Sequence, residues 1–257
     1  MRKSVRKTTI TLLTFLIFLV LWQMYVSVSQ VPEHILPGPL KYASEFIRIT
    51  STSSFSEHVT TTLYEIAVGF GIGCLLGLVF GYVLAKSELM ERLITPYVVL
   101  AQITPKISIA PLFILWFGLG ASSKIALVIL VVFFPIMVNT IIGIRSVESN
   151  MKDLLHVLRA RPLQKFLAVE IPYSLPSIMS GVKVSTTYAI TGAVIGEMIG
   201  AKAGLGYLVI LGSETYDINL IMTAVLILSI MGLILYSLCG YAEKRLLHWH
   251  ESQEQVM

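Results

Sequence analysis

The chain has 257 residues, 55% of them hydrophobic and 13% charged, with a formal net charge of +4 and a mean hydropathy of +0.80. A soluble domain carries roughly 25% charged residues, so this composition excludes an ordinary soluble enzyme or binding module and points to a membrane protein. Length and hydropathy accommodate about six spans of roughly 20 residues each, with little left for a separate soluble domain. Cys74 and Cys239 both lie in apolar runs, which argues for neither a disulfide nor a metal site.

Arg2, Lys3, Arg6 and Lys7 precede an apolar run from Thr8 to Val28. A cleaved signal peptide is the competing reading, since Ser27-Val28-Ser29 is a weak cleavage pattern. The run exceeds an h-region of roughly 7–15 residues, however, and Trp22 and Tyr25 suit an interfacial belt, so it reads as a retained first span. Val31 to Thr60 is a polar excursion with Pro32 and Pro37-Gly38-Pro39, then a short amphipathic piece around Tyr42, Phe46 and Ile49.

The second span, about Thr61 to Ala85, carries Gly69, Gly73, Gly77 and Gly81 at four-residue intervals. Such a ladder lies on one helical face and predicts close helix packing, within the chain or against a symmetry mate. The third span, about Pro96 to Phe117, is interrupted by Pro105 and Pro111, with Gln102, Thr104 and Lys106 clustered at the first break. Spacing from Trp116 puts Lys106 near mid-membrane, where a charge usually faces protein or a water-filled path. These three residues are therefore candidate translocation-pathway residues; the alternative is a late helix start, with Lys106 reaching the inner headgroups.

The fourth span, Lys124 to Ile144, contains Pro135 and Asn139. The polar interruption from Arg145 to Gly181 comes next. Met151, Leu154, Leu155 and Leu158 recur on one helical face, with Lys152, Asp153, His156 and Arg159 on the other sides. Arg161-Pro162 breaks this helix and opens a second one, edged by Leu163, Phe166 and Leu167, and Pro172 and Pro176 close the unit. Two readings stand: a docking element for a cytoplasmic partner, or an amphipathic helix on the lipid surface. The fifth span, about Ile178 to Gly200, carries Thr186, Thr187 and Thr191, with Glu197 near its far end. Thr hydroxyls more often bond to their own helix than to a ligand. Gly204-Leu205-Gly206 reads as a polar loop, Asn219 to Tyr241 as the sixth span, and Lys244 and Arg245 begin a short tail.

With the N-terminus inside, Lys and Arg concentrate on the cytoplasmic segments. The outer segments hold Lys41, Arg48, Lys124 and Lys202, while Lys106 and Lys183 fall in or beside spans. The expectation is an all-α membrane protein with six transmembrane helices, N-in and C-in. It divides into 1–60 (first span and periplasmic amphipathic segment), 61–144 (spans two to four), 145–177 (cytoplasmic loop), 178–241 (spans five and six) and 242–257 (cytoplasmic tail).

No phosphate-binding G-x-x-x-x-G-K-[ST] loop is present, so the chain is not expected to hydrolyse ATP. No H-E-x-x-H, paired Cys motif or Ser/His/Asp set stands out, so neither catalytic nor metal-binding residues are expected. His34, His58, His156, His248 and His250 lie in polar segments and suit solvated roles. A secondary transporter would need an intramembrane acid with partners, and only Glu65 and Glu197 come near, each close to a span end. A membrane scaffold would need the loop but no polar pathway.

The chain resembles the permease subunit of bacterial binding-protein-dependent ABC importers, in the nitrate/sulfonate/taurine branch that also includes transporters of thiamine precursors and riboflavin. The resemblance covers nearly the whole chain. It rests on Ile35-Leu36-Pro37-Gly38-Pro39, the Gly69/Gly73/Gly77 ladder, Pro105 with Pro111-Leu112, Leu115 to Gly120, Gly192 to Glu197, and Gly204 to Tyr207. In that family the cytoplasmic loop holds a Glu-Ala-Ala-x3-Gly-x9-Ile-x-Leu-Pro pattern seated in the ATPase. Aligned on Ile171-Pro172, Asp153 falls at the Glu, Leu154 and Leu155 at the alanines, Val169 at the Ile and Arg159 at the Gly. That last position departs from the pattern, because Gly allows a backbone turn that Arg resists.

The resemblance implies a type I importer bundle with a cytoplasmic coupling-helix loop, in the bacterial inner membrane. It implies two copies of the chain forming a pathway, two ABC ATPase subunits, a periplasmic or lipid-anchored binding protein, and no nucleic acid. ATP and Mg belong to the ATPase, with no cofactor in this chain. Docking falls to Leu154, Leu155, Leu158 and Phe166 for buried contact, with Asp153, Arg159 and Arg161 orienting it. The expected solute is a small anion, sulfonate-, taurine- or nitrate-like; the alternative is a vitamin precursor, a thiamine pyrimidine or riboflavin.

Overall fold

The computed structural model describes residues 2–249, with side chains from 9 onward apart from that of Lys152. The end of the expected tail, including His250, lies outside these residues. The described chain is helical throughout, and α6 (Ala121–Arg145) is its central element.

From Thr9 onward, apolar side chains cover every face of α1 (Arg2–Val28) and are largely exposed within the chain, as suits a helix solvated by lipid. Near its end it meets the rest of the chain, where the Trp22 ring lies 6.4 Å from Tyr42 of α2 (Pro39–Thr50). Pro39 opens α2 in its first turn, where its missing N–H costs nothing. The second span is longer than expected: α3 runs Ser53–Ala85.

Close approach builds the core. A Cβ on Gly73 would sit 2.8 Å from Val132, and one on Gly77 would sit 2.9 Å from Ile136 of α6. Gly69 and Gly81 meet Val128 and Thr140 in the same way. The ladder is thus filled by α6 of the same chain rather than by a symmetry mate. A second stripe of small residues lies on α9 (Ile171–Gly200): Gly181 abuts Asn139, Gly192 abuts Val131 and Gly196 abuts Lys124. Gripped on both sides, α6 lets Val128, Val132 and Ile136 pack with Ile66, Ala189 and Ala193 in the main apolar cluster.

The expected third span is two helices, α4 (Glu88–Ile103) and α5 (Lys106–Phe117), bent by 97°. Pro105 makes the break as N-cap of α5, whereas Pro111 sits inside α5 without ending it. Pro172 falls in the first turn of α9 and Pro176 inside it, so neither closes the preceding unit. Between Arg145 and α9 lie α7 (Ser149–Val157), the single turn α8 (Pro162–Lys165) and a π-helical turn, Phe166–Glu170, that runs directly into α9. The bundle is completed by α10 (Leu205–Glu214) and α11 (Ile218–Leu246). Among the described residues, five helices are long and apolar enough to cross a membrane, and the bent α4–α5 pair brings the number to six.

Candidate functional site

At one end of the bundle the elbow formed by α7, α8 and the π turn stands away from the helices that carry it. Its first bend is a Schellman turn: Ala160 N–H donates to the Leu155 carbonyl and Arg159 N–H to the His156 carbonyl, each at 3.0 Å. The residue after the cap must then be left-handed, and Arg159 has φ +48°. The sequence places arginine where the family pattern has glycine, and the backbone makes the turn regardless. Arg161 N–H bonds the Gln164 side chain at 2.8 Å, and Pro162 opens α8.

Leu154, Leu158, Leu163 and Leu167 are each at least half exposed on this elbow. Asp153, Arg159 and Arg161 are exposed beside them. Leu155 and Phe166, expected on the docking face, instead turn toward their own chain. Leu155 lines a recess with Lys86, Arg145 and Val169. The Phe166 ring stands edge-on to Tyr82 at 5.0 Å. The π turn rotates this face by its extra residue, an irregularity invisible in an apolar periodicity.

The base of the elbow is tied to the bundle by charge. Lys86 pairs with Glu170, which also accepts from the Tyr82 hydroxyl at 3.2 Å, and Arg145 pairs with Glu91 of α4. Burial alone would lower the Lys86 pKa, but the hydrogen bond and charge of Glu170 outweigh it and raise the value.

The candidate pathway residues lie at the α4–α5 break. Lys106 Nζ donates to the Gln102 carbonyl, one of the orphan acceptors that end α4. Gln102 and Lys106 line a recess of about 210 Å³ with Phe134, Tyr188 and Thr191. Thr104 is not among the lining residues; its hydroxyl bonds the Leu100 carbonyl at 2.7 Å.

The opposite end holds a buried polar knot absent from the expectations. Glu197 accepts from the Thr62 hydroxyl and from Gly206 N–H, both at 2.6 Å. Thr62 in turn accepts from Leu205 N–H at 2.8 Å. The orphan amides that open α10 are therefore capped by side chains of α3 and α9. Lys124 donates to the Leu119 and Gly200 carbonyls, so it serves the C-terminal end of α9. Glu65 completes the group, and Glu65, Lys124 and Glu197 are each at most 2% exposed.

Several sequence expectations change here. Lys124 is a buried member of α6 rather than an outer-surface lysine, and Leu205 is fully buried rather than part of a polar loop. His58 is half-buried, not solvated, with Nδ1 accepting from Gly204 N–H at 3.0 Å. Gly204 has φ +117°, and a Cβ there would strike the Glu197 carboxyl. The available signal was the trio of charges at three span ends together with Gly204 and Gly206.

A helical bundle with a bent third span and a leucine-faced elbow defines a multi-pass membrane protein. The pattern of the family described as "Binding-protein-dependent transport system inner membrane component" matches residues 73–248. The riboflavin transport system permease protein RibX of Chloroflexus aurantiacus is 35% identical over 93% of this chain and 89% of its own length. The formylaminopyrimidine transport permease protein ThiX of Halalkalibacterium halodurans is 32% identical over 94% of this chain and 96% of its own. Further relatives carry aliphatic sulfonate and taurine permease names. A solved chain of the MetNI methionine ABC transporter, in an inward-facing conformation, shares the fold with a TM-score of 0.64. It is 18% identical and aligns over 74% of this chain and 94% of its own.

The chain belongs to the family of inner-membrane components of binding-protein-dependent transport systems. It is a permease subunit of an ABC importer of the bacterial inner membrane.

Proposed function

We propose that two copies of this chain form the membrane pathway of an ATP-driven importer, each held by a separate ATPase subunit through the α7–α8 elbow. Both chain ends then face the cytoplasm, and a solute-loaded binding protein docks at the knot end. The observation that carries this reading is the elbow itself: leucines exposed at its tip, ion pairs and an aromatic contact fixing its base. Such a part converts a push at the tip into a tilt of α9 and α3, shifting the bundle between inward- and outward-open states. ATP hydrolysis takes place in the partner, and Gln102 and Lys106 border the route of the solute.

Replacing Leu154 with Glu tests the grip. A charge on an exposed helix leaves the fold intact but removes a buried anchor of the contact, a loss of about 2 kcal/mol or roughly 30-fold in association. ATPase co-purification and uptake should both fall while the permease still inserts. Unchanged co-purification would refute the docking role.

Within this reading the solute is a small organic molecule. A sulfonate-like anion would suit the charge of Lys106. The vitamin-precursor alternative is favoured by one observation: Lys106 already donates to Gln102, while Phe134 and Tyr188 offer ring surfaces in the same recess. Competition for permease-dependent uptake, with riboflavin, a formylaminopyrimidine and taurine as competitors, separates the two.

A further inference from the structure

The knot contains one more acid than its visible partners neutralise. Glu197 is compensated as an anion by the Thr62 hydroxyl and by Gly206 N–H at the positive end of α10. Lys124 is compensated as a cation by two carbonyls, Leu119 in the loop before α6 and Gly200 at the negative end of α9. These two charges balance each other. Glu65 is the third, 2% exposed, and its Oε2 has no hydrogen-bond partner. Its carboxyl group lies within hydrogen-bonding reach of the Glu197 carboxyl. His58, the other titratable ring nearby, faces Gly204 N–H and the Tyr207 ring.

Two carboxylates offer only acceptors, so a hydrogen bond between them requires a proton. An unpaired buried anion is far more costly than a neutral acid with one idle oxygen. We propose that Glu65 and Glu197 form a proton-binding site, with Glu65 the carboxylic acid that donates to the Glu197 carboxylate. The bound proton makes the group neutral: one anion, one cation and one acid. The bonds from Thr62 and Gly206 to Glu197, from Leu205 to Thr62 and from Lys124 to Gly200 cross between helices, so the proton is a condition for the ends of α3, α6, α9 and α10 moving as one body. This inference is independent of how the elbow engages its partner.

The test uses the purified transporter complex and the variants Glu65→Gln, Glu65→Ala and Glu197→Gln. The infrared difference between parent and Glu65→Gln should contain a carboxylic-acid C=O stretching band belonging to the parent. Glutamine keeps the shape, neutrality and a donor, so Glu65→Gln should melt within about 3 °C of the parent and retain uptake. Glu65→Ala and Glu197→Gln should each melt about 6 °C lower or more, the first leaving a void and the second removing the anion that caps α10. A difference spectrum lacking the acid band would overturn the proposal. So would a Glu65→Gln variant that loses as much stability as Glu65→Ala or does not assemble, because an ionised Glu65 is the residue that glutamine cannot replace.

Discussion

The two ends of the bundle reverse the usual placement of side chains. At the elbow, Leu154, Leu158, Leu163 and Leu167 stand exposed while the charges beneath them, Lys86, Glu170, Arg145 and Glu91, tie the base together. At the knot, Glu65, Lys124 and Glu197 are buried, and Lys124 and Glu197 serve as caps for helix termini. A cluster of exposed leucines gains from being covered, which is what the proposed docking of a partner at the elbow would do. Buried charge is stable only if its own chain satisfies it, so the knot is built to hold still. On the proposed reading, one end is completed by another molecule and the other by itself.

The largest expected effect comes from removing the link between the ends. Gly77→Leu would drive a side chain into Ile136 and the Phe133 carbonyl, each 2.9 Å from the position of its Cβ. Separating α3 from α6 should cost about 3 kcal/mol or more and abolish accumulation of the folded permease in membranes. Normal accumulation would mean that α3 and α6 can slide apart without loss, and that the two ends are mechanically separate.

This link was legible in the sequence because a glycine ladder repeats at the helical period, and a period is what a linear reading detects. The matching stripe on α9 was harder to see, since Gly181, Ser185, Ala189, Gly192 and Gly196 mix residue types. The elbow was legible as two amphipathic pieces, but the π turn at Phe166–Glu170 shifted which residues face outward. Glu65, Lys124 and Glu197 each stand near a span end, and counting charges assigns Lys124 to the outer side. Only the folded chain brings them together, and no local pattern encodes a cap supplied by a distant helix.

A smaller effect separates the ends. Thr62→Val keeps the shape but deletes the donor to Glu197 and the acceptor of Leu205 N–H, leaving a buried amide unpaired. About 2 kcal/mol of stability should be lost, seen as a melting temperature lower by about 4–8 °C. Association with the ATPase should be unchanged when measured below the melting transition. Leu154→Glu should do the opposite, sparing the melting temperature and losing the partner. If Thr62→Val also weakened ATPase association, the ends would be coupled through the bundle at rest and the contrast between them would fail.

The smallest effect concerns Arg159, and here the two demands on the elbow conflict. The Schellman turn needs a left-handed residue, which for a side chain with a Cβ costs about 1 kcal/mol. Arg159→Gly removes that strain, so the isolated permease should melt about 2–4 °C higher. Glycine in the unfolded chain has more freedom to lose, which trims the gain without reversing it. The exposed guanidinium is lost as well, and it stands beside the leucines proposed to grip the partner. A variant that melts higher yet holds the ATPase less tightly would show that the strain persists because the charge is used at the contact. A melting temperature that stays level or falls would mean that the turn at φ +48° is relaxed by its neighbours, and that arginine costs the elbow nothing.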